Sequence, residues 1–327
     1  MPAGQRPGGP AVSVVIPAFN EEAVLRRCLQ AVLAQTVTAE QIIVVDNAST
    51  DGTRAVVTQM QAEHPDASLL LIEQNAEQGL IPTRNIGLDS SRAEVLGRID
   101  ADSVLAPNWV EQVQRAFKDP DLAATTGPVL YYDLPLPRLG LTIDNAGRQV
   151  VMKLVADRHP FLYGSNMAIR RTAWQQIRST VCRDEHDRMH EDIDLSLHLS
   201  EHGLKIAYLP AMIAGVSARR MDDTPEHFRY YVERYRRTYS AHQTASPIPV
   251  TATIVLRSLY WPLKLCKLLY LPRTPLRATT PPTRIPATEH CHERLPGHGG
   301  GRRQRRPNAA QACLTTKSQL QHGPQGT

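Results

Sequence analysis

Short continuous runs of Val, Ile and Leu constrain this chain more than any other feature: Val12 to Ile16, Ile42 to Asp46, Leu69 to Ile72 and Val95 to Ile99. Amphipathic stretches of helical character separate them, from Asn20 to Leu33, from about Asp51 to Glu63 and around Pro82 to Asp89. Strands that are apolar on both faces and alternate with helices belong to a parallel sheet covered on both sides. The first half is therefore expected to be an α/β, open, doubly wound and mostly parallel sheet flanked by helices.

In such sheets a ligand binds beyond the carboxyl ends of the strands, so the residues directly after each run are candidate chemistry. The first strand is followed by Pro17, Phe19, Asn20, Glu21 and Glu22, the second ends in Asp46, and the fourth is followed by Asp100 and Asp102. Two carboxylates two residues apart can point at one hard cation such as Mg²⁺ or Mn²⁺; Asp102 can equally cap the helix that starts near Pro107. Asp46 can accept hydrogen bonds from a nucleobase edge and ribose, or serve as a turn former. Arg84, between Thr83 and Asn85, can offer its planar fork to a phosphate or stand as a solvated charge.

Beyond Ala123 the pattern is irregular. Strand is expected within Thr125 to Tyr131, then a Pro-rich connection through Pro135 and Pro137, a small-residue loop at Gly164, Ser165 and Asn166, and a strand from Lys205 to Leu209. Ile193, Leu195, Leu197 and Leu199 alternate with period two, yet Gly203 as a stop and acids at the start favour a helix. Glu191, Asp192 and Asp194 crowd the entrance of that helix; one of them is placed to be a general base, or together they complement the helix dipole. Cys182, His186 and His190 are four residues apart, but a fourth ligand is missing and charged residues fill the gaps, so zinc is not expected there.

Composition narrows the partners. The formal charge is +5, but nine Lys or Arg fall after Pro272 against Glu289 and Glu293, so the body is slightly acidic and no nucleic-acid groove is expected. The same tail is rich in Pro, Gly and Arg and too poor in apolar residues for a core, which predicts disorder over residues 273–327. Five scattered cysteines without a Cys-x-x-Cys fit a reducing cytosol. No apolar secretory core follows Met1, and residues 1–10 read as a flexible leader. Val250 to Leu271 is apolar but carries Arg257, Pro262, Lys264 and Lys267, which fits an interfacial or packed amphipathic helix better than a membrane span. Walker, Gly-x-Gly-x-x-Gly and Gly-x-Ser-x-Gly motifs are absent from the sequence.

The ordered set VSVVIPAFNEE, IIVVDNASTDGT, TRNIGLD, IDADS, GSNMAIRR and HEDIDLSLHL resembles the family 2 glycosyltransferases, inverting enzymes of the GT-A fold, over about residues 11 to 240. The resemblance implies a glycosyltransferase domain over 11–245, with a nucleotide-binding half at 11–123 and an acceptor half at 124–245, then a surface helix at 246–272. It implies a nucleoside diphosphate sugar donor held by the loop Pro17 to Glu21, by Asp46 at the base and by Arg84 at the nucleotide. Asp100 and Asp102 would meet the ribose and the metal, Mn²⁺ or Mg²⁺. Asp192 would be the catalytic base, and Gly164, Ser165, Asn166 and Glu191 would line the side of a hydroxyl acceptor, either glycan or lipid. An enzyme of this kind would be cytoplasmic and, through its last helix, peripheral on an anionic membrane surface.

Two departures stand out. Many members carry a His after the strand that follows the base, where this chain reads Ala214 to Arg220; the Gln-x-x-Arg-Trp signature of processive synthases is absent, which implies a single transfer. The rival expectations are a sugar-nucleotide pyrophosphorylase, which needs a Gly-, Arg- and Lys-bearing loop that Pro17 to Glu22 does not supply, and a non-catalytic nucleotide-sugar or glycan-binding module.

Overall fold

Each of the four apolar runs forms a strand, because Val and Ile fit a pleated surface packed on both sides. In the computed structural model, which describes residues 9–155, 160–184, 188–244, 246 and 248–269, the chain starts β1 (Val12–Ala18), α1 (Glu22–Leu33), β2 (Gln41–Asp46), α2 (Thr53–Glu63), β3 (Leu69–Glu73), α3 (Leu80–Ser90) and β4 (Val95–Ile99). It continues with β5 (Val104–Leu105), α4 (Trp109–Ala116), β6 (Leu122–Thr126), β7 (Val129–Tyr131), α5 (Pro137–Val155), β8 (Asn166–Arg170) and α6 (Arg171–Ile177). The last elements are α7 (Glu191–Glu201), β9 (Lys205–Tyr208), β10 (Ala214–Val216), α8 (Pro225–Ala241) and α9 (Ile248–Leu269). The expected tail, His186 and most of the expected leader lie outside the described residues.

Seven strands form one sheet in the order β3-β2-β1-β4-β8-β6-β9, in which β8 runs antiparallel to both neighbours and the other pairings are parallel. The strand order reverses between β1 and β4, the place where an open sheet leaves a crevice. A second sheet, β5-β10-β7, stands beside it. Alternate residues of each central strand serve opposite faces: Val14, Ile16 and Val44 pack with Leu25, Leu29, Val57, Met60 and Trp109, while Val15, Ile43 and Val45 pack with Leu88, Trp174, Leu195 and Leu199.

Two expectations change and one holds. The run Thr125 to Tyr131 is two strands, β6 and β7, parted at Gly127 and Pro128, where a Cβ on Gly127 would lie 2.0 Å from the Met212 carbonyl oxygen. The Pro-rich connection extends only to Pro137, which opens the 19-residue helix α5 as its first residue, a position where proline is tolerated. The period-two segment is helical, as the acids and Gly203 indicate, and Gly203 stops it in the left-handed region at φ 67.

Asn166 pins the two sheets together. Its buried amide donates to the carbonyls of Pro128 (2.9 Å) and Met212 (2.7 Å) and accepts from the Trp109 indole (2.7 Å). Asn166→Ala strands three buried polar groups, each costing about 1 kcal/mol or more, so an overall loss of about 3 kcal/mol is expected in urea unfolding. A variant with unchanged stability and a raised acceptor KM would instead assign this side chain to the acceptor.

Candidate active site

The crevice at the β1/β4 reversal is lined by Pro17, Phe19, Asn20 and Glu21 after β1, Asn47 and Ala48 after β2, Asp100 after β4, Gly164 and Ser165 before β8, and Glu191 and Asp192 at the start of α7. The first two loops hold each other. Asn20, at φ 54, accepts the Thr50 N–H through its side chain (2.8 Å) and gives its own N–H to Ser49 Oγ (2.9 Å), while Gly52 N–H reaches Glu22 (2.9 Å). Short polar side chains that tolerate positive φ make this interlock possible. Asp46 is fully buried at the end of β2; its Oδ2 accepts the Ser49 N–H (3.2 Å), and its Oδ1 has no hydrogen-bond partner among the described residues.

A chain of charges runs beneath the crevice. Arg84 on α3 donates to the Glu191 carboxylate (2.6 Å) and carbonyl (3.0 Å) and to Asn85. Arg98 on β4 meets the other Glu191 oxygen (3.1 Å) and Asp100 (2.9 Å). Gly164 makes room for this: a Cβ there would lie 1.8 Å from an Arg98 guanidinium nitrogen. Burial alone would raise the Glu191 carboxyl, but Arg98 and Arg84 outweigh it and hold it below the usual range. Its neighbour behaves oppositely. Burial first and the Glu191 charge second raise Asp192 to about 6, against the backbone N–H groups of Gly164 and Ile193, each 2.9 Å from its oxygens.

On the far side of Asp100, Asp102 is buried and faces the Arg219 Nε at 3.2 Å, while the same guanidinium grips Glu21 at 2.8 and 2.9 Å. Burial lifts Asp102 to about 6; Arg219 pulls it down and Asp100 adds to the rise.

Residues 13–178 match Glycosyl transferase family 2, and residues 98–283 match Glycosyl transferase family group 2. The chain belongs to glycosyl transferase family 2. An uncharacterised glycosyltransferase of Nostoc sp. is 33% identical over 138 residues, 42% of this chain and 41% of that protein. Glycosyltransferase AglE of Haloferax volcanii is 33% identical over 32% of this chain and 34% of its own length. The aligned region thus spans 41% and 34% of these two curated relatives. A mannosyltransferase from Pyrobaculum calidifontis, solved in complex with GDP-Man and Mn²⁺, superposes with a TM-score of 0.57 at 19% identity, covering 82% of this chain and 76% of that one, which shows a shared GT-A fold.

Within this family 2 chain the expected site residues divide into those that face the crevice and those that support it. Pro17, Phe19, Asn20, Glu21, Asp100, Gly164, Ser165, Glu191 and Asp192 line it. Asp46 and Asp102 lie buried behind its wall. Arg84 turns its donors to Glu191 and Asn85, has no exposed surface and holds the start of α7. Asn166 spends its amide on the fold. Sequence reasoning passed over Arg98, although a lone charge inside the apolar run Val95 to Ile99 is a signal that a buried partner exists.

Asp192 carries a cost that can be measured. Its carboxyl is raised in the fold from 3.8 to about 6, so the folded protein favours the neutral form and loses stability as pH rises through that window. An amide does not titrate. The stability advantage of Asp192→Asn over the parent in urea unfolding should therefore grow between pH 4 and pH 8, by at most about 3 kcal/mol for a shift near two units. An advantage independent of pH would show that the side chain is not desolvated in the way described.

Proposed function

We propose that this chain transfers one sugar from a nucleoside diphosphate sugar to a hydroxyl acceptor with inversion at the anomeric carbon, Asp192 acting as general base. The observation that carries this reading is the division among the three carboxylates at the start of α7. Glu191 is neutralised by two guanidiniums and Asp194 is buried behind the crevice wall, whereas Asp192 lines the crevice with a pKa of about 6. A base of that strength is ionised near neutral pH and still accepts a proton readily. Asp192 takes the acceptor hydroxyl proton as that oxygen bonds to the anomeric carbon, and the bond from this carbon to the diphosphate oxygen breaks with its electron pair leaving on the diphosphate.

For the donor, the unpartnered Asp46 Oδ1 suits an N–H of a nucleobase that enters past Asn47 and Ala48, which line the crevice together with the loop after β1. Asp100 and Asp102 suit Mn²⁺ or Mg²⁺: Asp102 is raised first by burial and also by the Asp100 charge, even beside Arg219, and a divalent cation would relieve the crowding of these two carboxylates. Such a cation, when bound, offsets charge on the departing diphosphate. The complex of the related mannosyltransferase with GDP-Man and Mn²⁺ supports this donor chemistry. Arg219 occupies the loop where other members carry a His, and lies close enough to Asp102 to serve the same diphosphate.

The acceptor reading follows from two helices at the rim. Ile143, Gly147 and Val151 of α5 and Val255, Leu259 and Leu263 of α9 line the crevice mouth, and Leu139, Ile143, Val150, Ile254, Trp261, Leu265 and Leu268 are exposed. Among the described residues no helix is long and apolar enough to cross a membrane. An apolar rim of this kind fits a lipid-borne acceptor taken from the inner face of a membrane on which α9 lies. The lysines do not serve this contact as the sequence pattern implies: Lys264 donates to Asp223 and Tyr260, and Lys267 to Asp222 and Ala218. Attachment is therefore apolar.

Two experiments test the reading. Asp102→Asn should weaken Mn²⁺-dependent donor binding in calorimetry, whereas Asp192→Asn should keep donor affinity and lower single-turnover transfer by about 10² or more; near wild-type transfer by Asp192→Asn places the base elsewhere. In liposome flotation, Trp261→Ser with Leu265→Ser should release the protein and Lys264→Gln should not. Equal binding by all three leaves α9 without a membrane role.

A further inference from the structure

Behind the crevice wall, a second group of ligand-bearing side chains takes no part in the chemistry above. Asp194 and His198 sit one turn apart on α7, and His242 directly follows α8. All three side chains have no exposed surface, and none lines the crevice. The Nε2 atoms of both imidazoles face one oxygen, Asp194 Oδ1, at 3.4 Å from His198 and 2.8 Å from His242. The rings meet edge to face with centroids 4.7 Å apart, so their nitrogens converge without the rings stacking.

We propose that Asp194, His198 and His242 form a buried zinc site that joins the C-terminal end of α8 to α7. Two imidazoles and a carboxylate suit Zn²⁺ as three protein ligands with a water as the fourth, whereas Mg²⁺ and Ca²⁺ require several oxygens. Glu201 supplies the outer shell: its two oxygens face the Nδ1 atoms of both rings, at 3.4 Å from His198 and 3.2 Å from His242. A carboxylate behind each ring is the arrangement that fixes a metal-binding histidine with its Nε2 lone pair forward. The other Asp194 oxygen is oriented by the Cys182 N–H at 3.1 Å.

An independent observation points to a ligand. Both ring nitrogens of His198 are buried and face carboxylate oxygens at 3.4 Å without meeting hydrogen-bond geometry, a shortfall that a bound ligand would relieve. The Cys182 sulfur lies within the same 4.8 Å group of ligand atoms but is engaged in a disulfide, so it is not counted as a ligand. The spacing of Cys182, His186 and His190 does not lead to this site: His190 packs between Tyr231 and Tyr235, with centroids at 4.8 and 4.1 Å, and His186 is outside the described residues. The competing occupant is a proton on each ring, giving two imidazoliums between two carboxylates with no metal.

The test uses the full chain, stripped with chelator and titrated with Co²⁺ and then Zn²⁺ in the absence of any nucleotide. One equivalent of Co²⁺ should give the intense visible bands of a low-coordinate site, Zn²⁺ should displace it, and the melting temperature should rise. Asp102→Asn should bind as the parent does, which separates this site from the donor metal. His242→Gln should weaken binding by more than the roughly 100-fold lost with outer-shell changes. Absence of a stoichiometric band, or a band kept by both His242→Gln and Asp194→Asn, overturns the proposal. If those variants fail to fold, X-ray absorption of the zinc-loaded parent decides: two imidazoles in the first shell support the site, and none rejects it.

Discussion

Glu191, held between the buried guanidiniums of Arg84 and Arg98, is the interaction on which the candidate site depends. Its three members come from the consecutive elements α3 and β4 and from the start of α7, 107 residues beyond Arg84, which meets them only when the sheet is complete. Burying such charges is expensive, and removing one partner of a buried pair typically costs about 3–5 kcal/mol because the other is left uncompensated. The arrangement is therefore poor at adding stability and good at enforcing one geometry. Gly164 belongs to it, since any side chain there would enter the space of Arg98, and its N–H is the donor that orients Asp192.

Helix geometry then gives adjacent acids different environments. Successive residues of α7 are about 100° apart around the axis, so Glu191 turns to the arginines, Asp192 to the crevice, and Asp194 to His198 and His242. The helix N-terminus favours all three as anions. What distinguishes them is the local balance: two cations beside Glu191, two imidazoles beside Asp194, and for Asp192 backbone N–H groups and the more distant Arg98 set against burial and a like charge. The Asp192 carboxyl is thus poised near 6 by burial first and by the retained Glu191 charge second.

The parallel half of the fold was legible because buried strands need continuous Val and Ile, and because the polar residues after them have few other reasons to be there. Val95 to Ile99 was placed to the residue, and the position of the crevice followed from strand ends alone. The second half was harder. Helix α5 begins after Pro135 and carries Gly140, Gly147 and an exposed apolar side, so neither composition nor periodicity announced it. The roles of Arg84, Arg98 and Arg219 depend on which carboxylate each one meets, and ion-pair choice is a tertiary property that spacing does not encode. Asp194, His198 and His242 were missed for the same reason, since the third ligand lies outside the helix that carries the other two.

Helix α9 reverses the usual polarity of a surface helix, with its lysines turned to the protein and much of its apolar side turned out. The inward cations meet the segment that carries Arg219. Lys267 donates to the Ala218 carbonyl (3.1 Å) and lies 3.4 Å from Asp133, and Asp133 in turn accepts from Ser217 Oγ and the Ala218 N–H, both at 2.7 Å. Tyr260 and Lys264 hold the Asp223 carbonyl at 2.7 and 2.8 Å. The loop from Ser217 to Asp223 is thereby tied to α9 at several points, and Arg219 within it reaches Glu21 and Asp102 in the crevice. The packing of the inner face of α9 and the placement of Arg219 beside Glu21 and Asp102 therefore rest on the same short set of hydrogen bonds.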